Sequence, residues 1–187
     1  MALTHFDNNG KARMVDVSHK DDTERIARAK GSIELNEAAY GAVLKGESSK
    51  GDVLAVATVA GIMGAKKTWE LIPMCHSISL TGCDITFEKR PRRDSGGGEV
   101  ICTCTVKTTG KTGAEMEALT GVSTALLTVY DMLKAVDRGM KIGEIYLMEK
   151  DGGKSGHYLK EDHHERIRIE KQLQPERVGH RDHKRRF

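Results

Sequence analysis

The segment from Glu115 to Arg138 constrains this chain most. It contains no proline, and Leu126, Leu127, Val129, Tyr130, Met132, Leu133 and Val136 place apolar side chains nearly all round a 3.6-residue wheel. Such a helix has to be covered along most of its circumference, so the remaining elements must supply a sheet or further helices that enclose it. Gly139 is suited to end it in a left-handed conformation.

The preceding residues supply that cover. Thr23 to Leu35 alternates as a strand does, with Ala27, Ala29, Ile33 and Leu35 on one face. A short helix follows over 36–45. Asp52 can cap a helix from Val53 to about Leu71, with Pro73 just beyond its end. The small residues Ala55, Ala57, Ala60, Gly61, Gly64 and Ala65 predict a close approach to a neighbour. Residues 80–89 and 99–108 read as two strands joined through the hairpin loop KRPRRDSGGG, whose arginines are solvated or contact a phosphate. Residues 142–149 form a last strand. The order strand, helix, helix, strand, strand, helix, strand predicts an α+β chain with a ferredoxin-like split βαβ pattern, one extra helix, and an antiparallel sheet packed on helices. Residues 1–159 are expected to form a single catalytic domain. Residues 160–187, charged and His-rich, read as an appendage.

The net charge of +3 lies in that appendage, which holds 9 Lys and Arg against 6 Asp and Glu, while residues 1–159 are balanced. A nucleic-acid-binding domain usually carries its basic excess on the folded body, so nucleic acid is not an expected partner. No stretch approaches the ~20 apolar residues of a membrane span, and the N-terminus has no signal-type apolar run, so a cytoplasmic protein without membrane contact is expected. Cys75, Cys83, Cys102 and Cys104 read as reduced thiols. Cys102 and Cys104 share a strand face but lack a second Cys pair, so buried side chains are expected there and no metal.

Gly110-Lys111-Thr112 and Gly153-Lys154-Ser155 resemble the end of a P-loop, but the glycine required five residues earlier is Thr105 in one and Met148 in the other. Each lysine can still bring an ammonium to an anion beside glycine backbone; otherwise each segment is a plain loop. Glu115, Met116 and Glu117 follow the first of them at a helix start, where carboxylates suit the macrodipole even without a further role. His76 and Cys75 lie in a loop within about ten residues of Lys66 and Lys67, an arrangement consistent with a polar cleft. Asp131 and Lys134, three apart, form either a surface ion pair or, as the apolar neighbours favour, a buried pair with a functional use. Glu117 and Asp131 fall within about 40° on the helical wheel but ~21 Å apart along it. If both serve one small ligand, the helix begins after Glu117 or two subunits share each site. The small-residue helix offers a surface for that association.

Taken in order, MVDVS (14–18), KGDV (50–53), KKTWELIPMCH (66–76), TGKTGAEMEALT (109–120), YDMLKAV (130–136) and GGKSG (152–156) resemble one family, that of cyclic pyranopterin monophosphate synthase, the MoaC family of molybdenum-cofactor biosynthesis. The resemblance implies a ferredoxin-like protomer assembled as a homohexamer, a trimer of dimers, with sites between subunits. It implies conversion of 3′,8-cyclo-7,8-dihydro-GTP to cyclic pyranopterin monophosphate with release of diphosphate, a phosphorus–oxygen lyase reaction. No cofactor is called for. Asp131 becomes the acid/base residue and Lys134 its catalytic neighbour, with Lys50 beside them. Met74, Cys75, His76, Met116 and Glu117 fall on substrate-binding positions, and Lys66, Glu115 and Arg25 also match site positions. Lys50, Lys66 and Lys154 would hold phosphate charge. Ser77 stands where the family usually has proline. The alternatives are a binding module, in which the lysines and the basic tail hold nucleic acid or a nucleotide without turnover, and an inactive scaffold of the same fold; diphosphate release from the cyclised GTP separates an enzyme from both.

Overall fold

A computed structural model describes residues 9–46, 51–92, 96–154 and 156–160. Its elements are β1 (Thr23–Leu35), α1 (Glu37–Lys45), α2 (Val53–Lys66), α3 (Thr68–Leu71), β2 (Leu80–Pro91), β3 (Gly98–Gly110), α4 (Glu115–Leu133), β4 (Lys141–Asp151) and β5 (Tyr158–Leu159). All strand pairs are antiparallel, in the order β2-β3-β1-β4-β5. Without the two-residue β5, this is the ferredoxin-like arrangement expected above, with α2 and α4 on one face of the sheet and α1 as the additional helix.

Strand alternation sets the core. Ala27, Ala29, Ile33 and Leu35 of β1 face the helices together with Val100, Cys102, Cys104 and Val106 of β3, and α4 closes over them with Val122, Ala125, Leu126, Val129 and Leu133. Cys102 and Cys104 are therefore core side chains. At Gly31, in the middle of β1, a Cβ would fall within 3.0 Å of Val122, Ile145 and Leu126, so only glycine lets α4 settle there. Opposite Gly31 the β4 register slips. Glu144 takes φ 48°, and the resulting bulge directs Ile145 into the space that Gly31 leaves.

The small residues of α2 meet their neighbour inside this chain. A Cβ on Gly61 would lie 3.0 Å from the Gly121 carbonyl oxygen, and one on Gly64 only 2.3 Å from Thr124 Oγ1. Gly61 and Gly64 are thus taken up by α4, while Ala55, another of the small residues, stays exposed. The face α2 leaves exposed carries Val56, Val59 and Met63.

Two helix ends differ from expectation. The segment 53–71 breaks at Lys67, whose N–H turns back to the Gly64 carbonyl while the buried Thr68 hydroxyl donates to Ala65 O at 3.0 Å. Backbone groups at this joint are thus satisfied without a continuous ladder. The helix α4 stops at Leu133 instead of running to Arg138. Buried Asp137 gathers the chain there, accepting from Gly139 N–H at 2.9 Å and from Asn36 N–H at 2.8 Å, so a side chain does the work assigned to a left-handed glycine. No helix among the described residues is long and apolar enough to cross a membrane.

Candidate active site

At the N-terminal end of α4 lies a cavity of ≈ 500 Å³ whose walls come from separate segments. Val15 and Val17 line it from the N-terminal stretch, Arg25 from β1, Met74, Cys75 and His76 from the loop before β2, Glu115, Met116 and Glu117 from the first turn of α4, and Lys150 from β4. Seven of the expected substrate-binding residues are thereby brought together. A larger concavity, ≈ 660 Å³, lies on the open face of the sheet among Lys30, Glu34, Arg90 and Glu99. None of the expected site residues lines it. The smaller cavity is the one that combines a buried carboxyl, that of Glu117, with a half-buried ion pair, which makes it the candidate site.

Each wall has a local cause. The loop carrying His76 is tied down by a turn from Cys75 N–H to Ile72 O (3.0 Å) and by the Thr108 hydroxyl donating to Ser79 O (2.7 Å). His76 Nε2 lies 2.8 Å from the Val15 carbonyl oxygen. A carbonyl only accepts, so Nε2 carries the proton of that bond and Nδ1 is left to accept in the neutral ring. His76 is thus held in place with Ser77 at the usual proline position. The N-terminal stretch is held from its other side by Lys111 Nζ, which donates to Ser18 O at 2.8 Å. Within it, Asp16 accepts from Ser18 N–H, and that bond lowers its pKa. Arg25 Nε donates to Gly110 O at 3.0 Å, fixing the guanidinium against the end of β3.

Glu117 is 4% exposed. Burial, helped by the nearby charge of Glu115 and opposed by a hydrogen bond from its own backbone, pushes its carboxyl up to about 7. Burial also raises the Cys75 thiol, and the charge of Glu117 raises it further. Glu115 is ion-paired with Lys150 Nζ at 3.0 Å, both half-buried. A Cβ on Gly113 would sit 1.9 Å from Glu115 Oε2, so the glycine makes room for that carboxylate.

Lys150 was not singled out from the sequence, although a signal was present. It pairs directly with Ala27 across β1 and β4, and directly paired residues share a face, so it is a lysine on the helix-facing side of the sheet. Lys20 also lines the cavity without a signal in the sequence, and Thr112 and Gly113 bring to it the TGKTG segment singled out above.

The remaining expected residues lie elsewhere. Lys134 Nζ and Asp131 Oδ1 form an ion pair at 2.6 Å, but more than half of each side chain is exposed, so the pair is not buried as its apolar neighbours had implied. The reason lies in the helix faces. The sheet and α2 take up two sides of α4, and Met116, Leu127, Asp131 and Lys134 form the stripe that neither covers. Because α4 begins at Glu115, Glu117 and Asp131 belong to one continuous helix, ~21 Å apart, and the alternative of a later helix start is removed. Lys66 is exposed at the end of α2, near Cys83, and does not line the cavity with His76. Lys154 lines an adjoining, smaller cavity. Lys50 lies outside the described residues, as does the appendage beyond Lys160.

Comparison with known proteins gives this cavity a context. The model of the MoaC family matches residues 14–153. The chain belongs to the MoaC family. Similar members include the cyclic pyranopterin monophosphate synthase of Desulfitobacterium hafniense, 55% identical over 163 residues that cover 87% of this chain and 97% of that protein. Those of Clostridium botulinum (56% identical, 85% and 98% covered) and Listeria monocytogenes (55%, 85% and 96%) bear the same name. The MoaC match spans every segment that lines the cavity, from Val15 to Lys150.

Proposed function

We propose that this chain is a cyclic pyranopterin monophosphate synthase of molybdenum-cofactor biosynthesis, converting 3′,8-cyclo-7,8-dihydro-GTP to cyclic pyranopterin monophosphate with release of diphosphate. The observation that carries the reading is the convergence of Arg25, Met74, Cys75, His76, Glu115 and Glu117 on one cavity, in a chain 53–56% identical to proteins of that name. On this reading it is a phosphorus–oxygen lyase working in the cytoplasm as a homohexamer, a trimer of dimers.

The residue types suit the chemistry. Arg25, Lys20 and Lys150 bring cations to one cavity, as a triphosphate requires. Rearranging the purine-derived rings calls for repeated proton transfers. Glu117, protonated below about 7, can donate a hydrogen bond or proton to the heterocycle, and His76 Nδ1 can accept one. Closure of the cyclic phosphate makes a bond from a hydroxyl oxygen to the α-phosphorus and passes the hydroxyl proton to a base. The bond from that phosphorus to the bridging oxygen breaks, and its electron pair leaves with diphosphate. Asp131 and Lys134 are the acid/base pair of this scheme. At ~21 Å from Glu117 they cannot act in their own chain's cavity, so a second copy brings its pair to it, using the exposed stripe of Met116, Leu127, Asp131 and Lys134.

The test is product formation from the cyclised GTP, followed together with diphosphate release. Wild type is expected to turn over, and Lys134→Ala to lose activity by at least about a hundredfold, the usual weight of a general acid or base. An inactive wild type, alongside an active relative under the same conditions, would overturn the assignment.

A further inference from the structure

Thr112 and Gly113 line the cavity, but the lysine beside them does not. The ammonium of Lys111 goes instead to a neutral partner, the Ser18 carbonyl oxygen at 2.8 Å. We propose that Lys111 is a positioning residue for His76: it pins the strap 15–18 so that the Val15 carbonyl keeps the ring proton on Nε2 and leaves Nδ1 as the acceptor. The inference rests on the synthase reading above, in which His76 Nδ1 accepts a proton.

A short run of hydrogen bonds joins the two residues. Lys111 Nζ donates to Ser18 O, Ser18 N–H donates to Asp16 Oδ1 at 2.8 Å, and Val15 O accepts from His76 Nε2 at 2.8 Å. Lys20 N–H closes a further turn on Val17 O at 3.0 Å. Lys111 and His76 thus grip opposite ends of the strap, and the Asp16 turn stiffens the residues between them. Val15 and Val17 line the cavity, while Asp16 and Ser18 are exposed. A displacement at Ser18 is therefore passed to Val15 and to the ring it holds.

The anchor is well based. Lys111 is half-buried, and the turn that carries it is fixed where Arg25 Nε donates to Gly110 O at 3.0 Å. A bond from an ammonium is stronger than one from a neutral donor. At the other end, the partner of one imidazole nitrogen decides the role of the other. A ring released by Val15 can carry its proton on either nitrogen and turn about χ2, so only part of the population offers Nδ1 as acceptor. Misplacing a reacting group by about 1 Å can cost up to about a hundredfold in rate.

The tautomer can be read by NMR of the full chain with ring-¹⁵N-labelled histidine at about pH 8.5, where an ordinary imidazole, with pKa about 6.5, is neutral. The His76 signals are those lost in His76→Gln. Wild type should show one species protonated on Nε2. Lys111→Met should move both ring signals toward a mixture of tautomers, and Asp16→Ala, which opens the turn between the anchors, should do the same. Arginine can donate to the same carbonyl, so Lys111→Arg should keep the wild-type signals. In turnover, Lys111→Met should lower kcat about tenfold with KM within about twofold, and Lys111→Arg should recover most of the loss. Wild-type His76 signals in both Lys111→Met and Asp16→Ala would overturn the proposal whatever the activity. A KM raised about tenfold with kcat unchanged would overturn it too, since Lys111 would then bind substrate directly. The expected signal changes in a chain that makes no product would reject the synthase reading and leave the positioning of His76 standing.

Discussion

Replacing Glu117 by Gln should make the protein more stable at neutral pH and leave it unchanged in acid. The carboxyl is raised from 4.5 to about 7 by burial first and by Glu115 second. Each tenfold change in proton affinity is worth about 1.4 kcal/mol, so the two values correspond to roughly 3 kcal/mol. Below pH 4.5 the group is protonated in both folded and unfolded chains and costs nothing. Between pH 4.5 and about 7 the unfolded chain releases the proton while the folded one keeps it, so wild-type stability falls through this window. Above about 7 the loss is complete. Glutamine has the same shape and no titration, so the difference between variant and wild type should grow from near zero at pH 4.5 to roughly 3 kcal/mol at pH 8. Denaturant unfolding at fixed protomer concentration across pH 4.5–8 measures it, and other titrating groups cancel in the difference. Parallel stability curves, with a gap independent of pH, would refute the reasoning. The gain in stability should accompany a loss of turnover, as expected where a carboxyl is buried for use.

Further expectations concern the supports of the site. Lys150→Met should lower kcat/KM at least tenfold while changing stability by under ~1 kcal/mol, since the Glu115 pair is only half-buried; a variant with wild-type turnover would remove Lys150 from the site. Gly64→Ala should destabilise the chain by about 1–3 kcal/mol in thermal unfolding, because the added Cβ meets Thr124 Cβ at 2.7 Å between two packed helices. Iodoacetamide at pH 7.5, read by peptide mass spectrometry, should label Cys83 before Cys75. A hydrogen bond with Cys104 and the charge of Lys66 lower the Cys83 thiol, whereas burial and Glu117 raise Cys75; the reverse order of labelling would contradict those environments.

Most of the fold was legible because the sequence patterns were local. Alternation in 23–35 marks the same four core residues that are buried, and the Asp52 cap accepts from Leu54 and Ala55 N–H as its position implied. Misplaced helix ends trace to side chains acting over distance: the break at Lys67 depends on Thr68 closing back on Ala65, and the stop at Leu133 on Asp137 reaching Asn36. Motifs picked out seven residues that line one cavity, Arg25, Met74, Cys75, His76, Glu115, Met116 and Glu117. What spacing could not give was burial. Leu126, Val129, Met132 and Leu133 are buried, while Leu127 lies with Asp131 and Lys134 on the stripe left uncovered, a division that only the packing of α4 decides. Lys150 was missed for the opposite reason, since its strand alternation was readable but its face depends on the register with Ala27.

The claim that two copies share each site is tested most directly by mixing Arg25→Ala, which damages the cavity, with Lys134→Ala, which damages the pair. Each alone should be inactive. In a mixed dimer one site carries both lesions and the other carries neither, so after random subunit exchange about a quarter of all sites are intact. Turnover should recover to about a quarter of wild type. No recovery, with exchange verified by native mass spectrometry, would place Arg25 and Lys134 in service of the same chain and contradict the account.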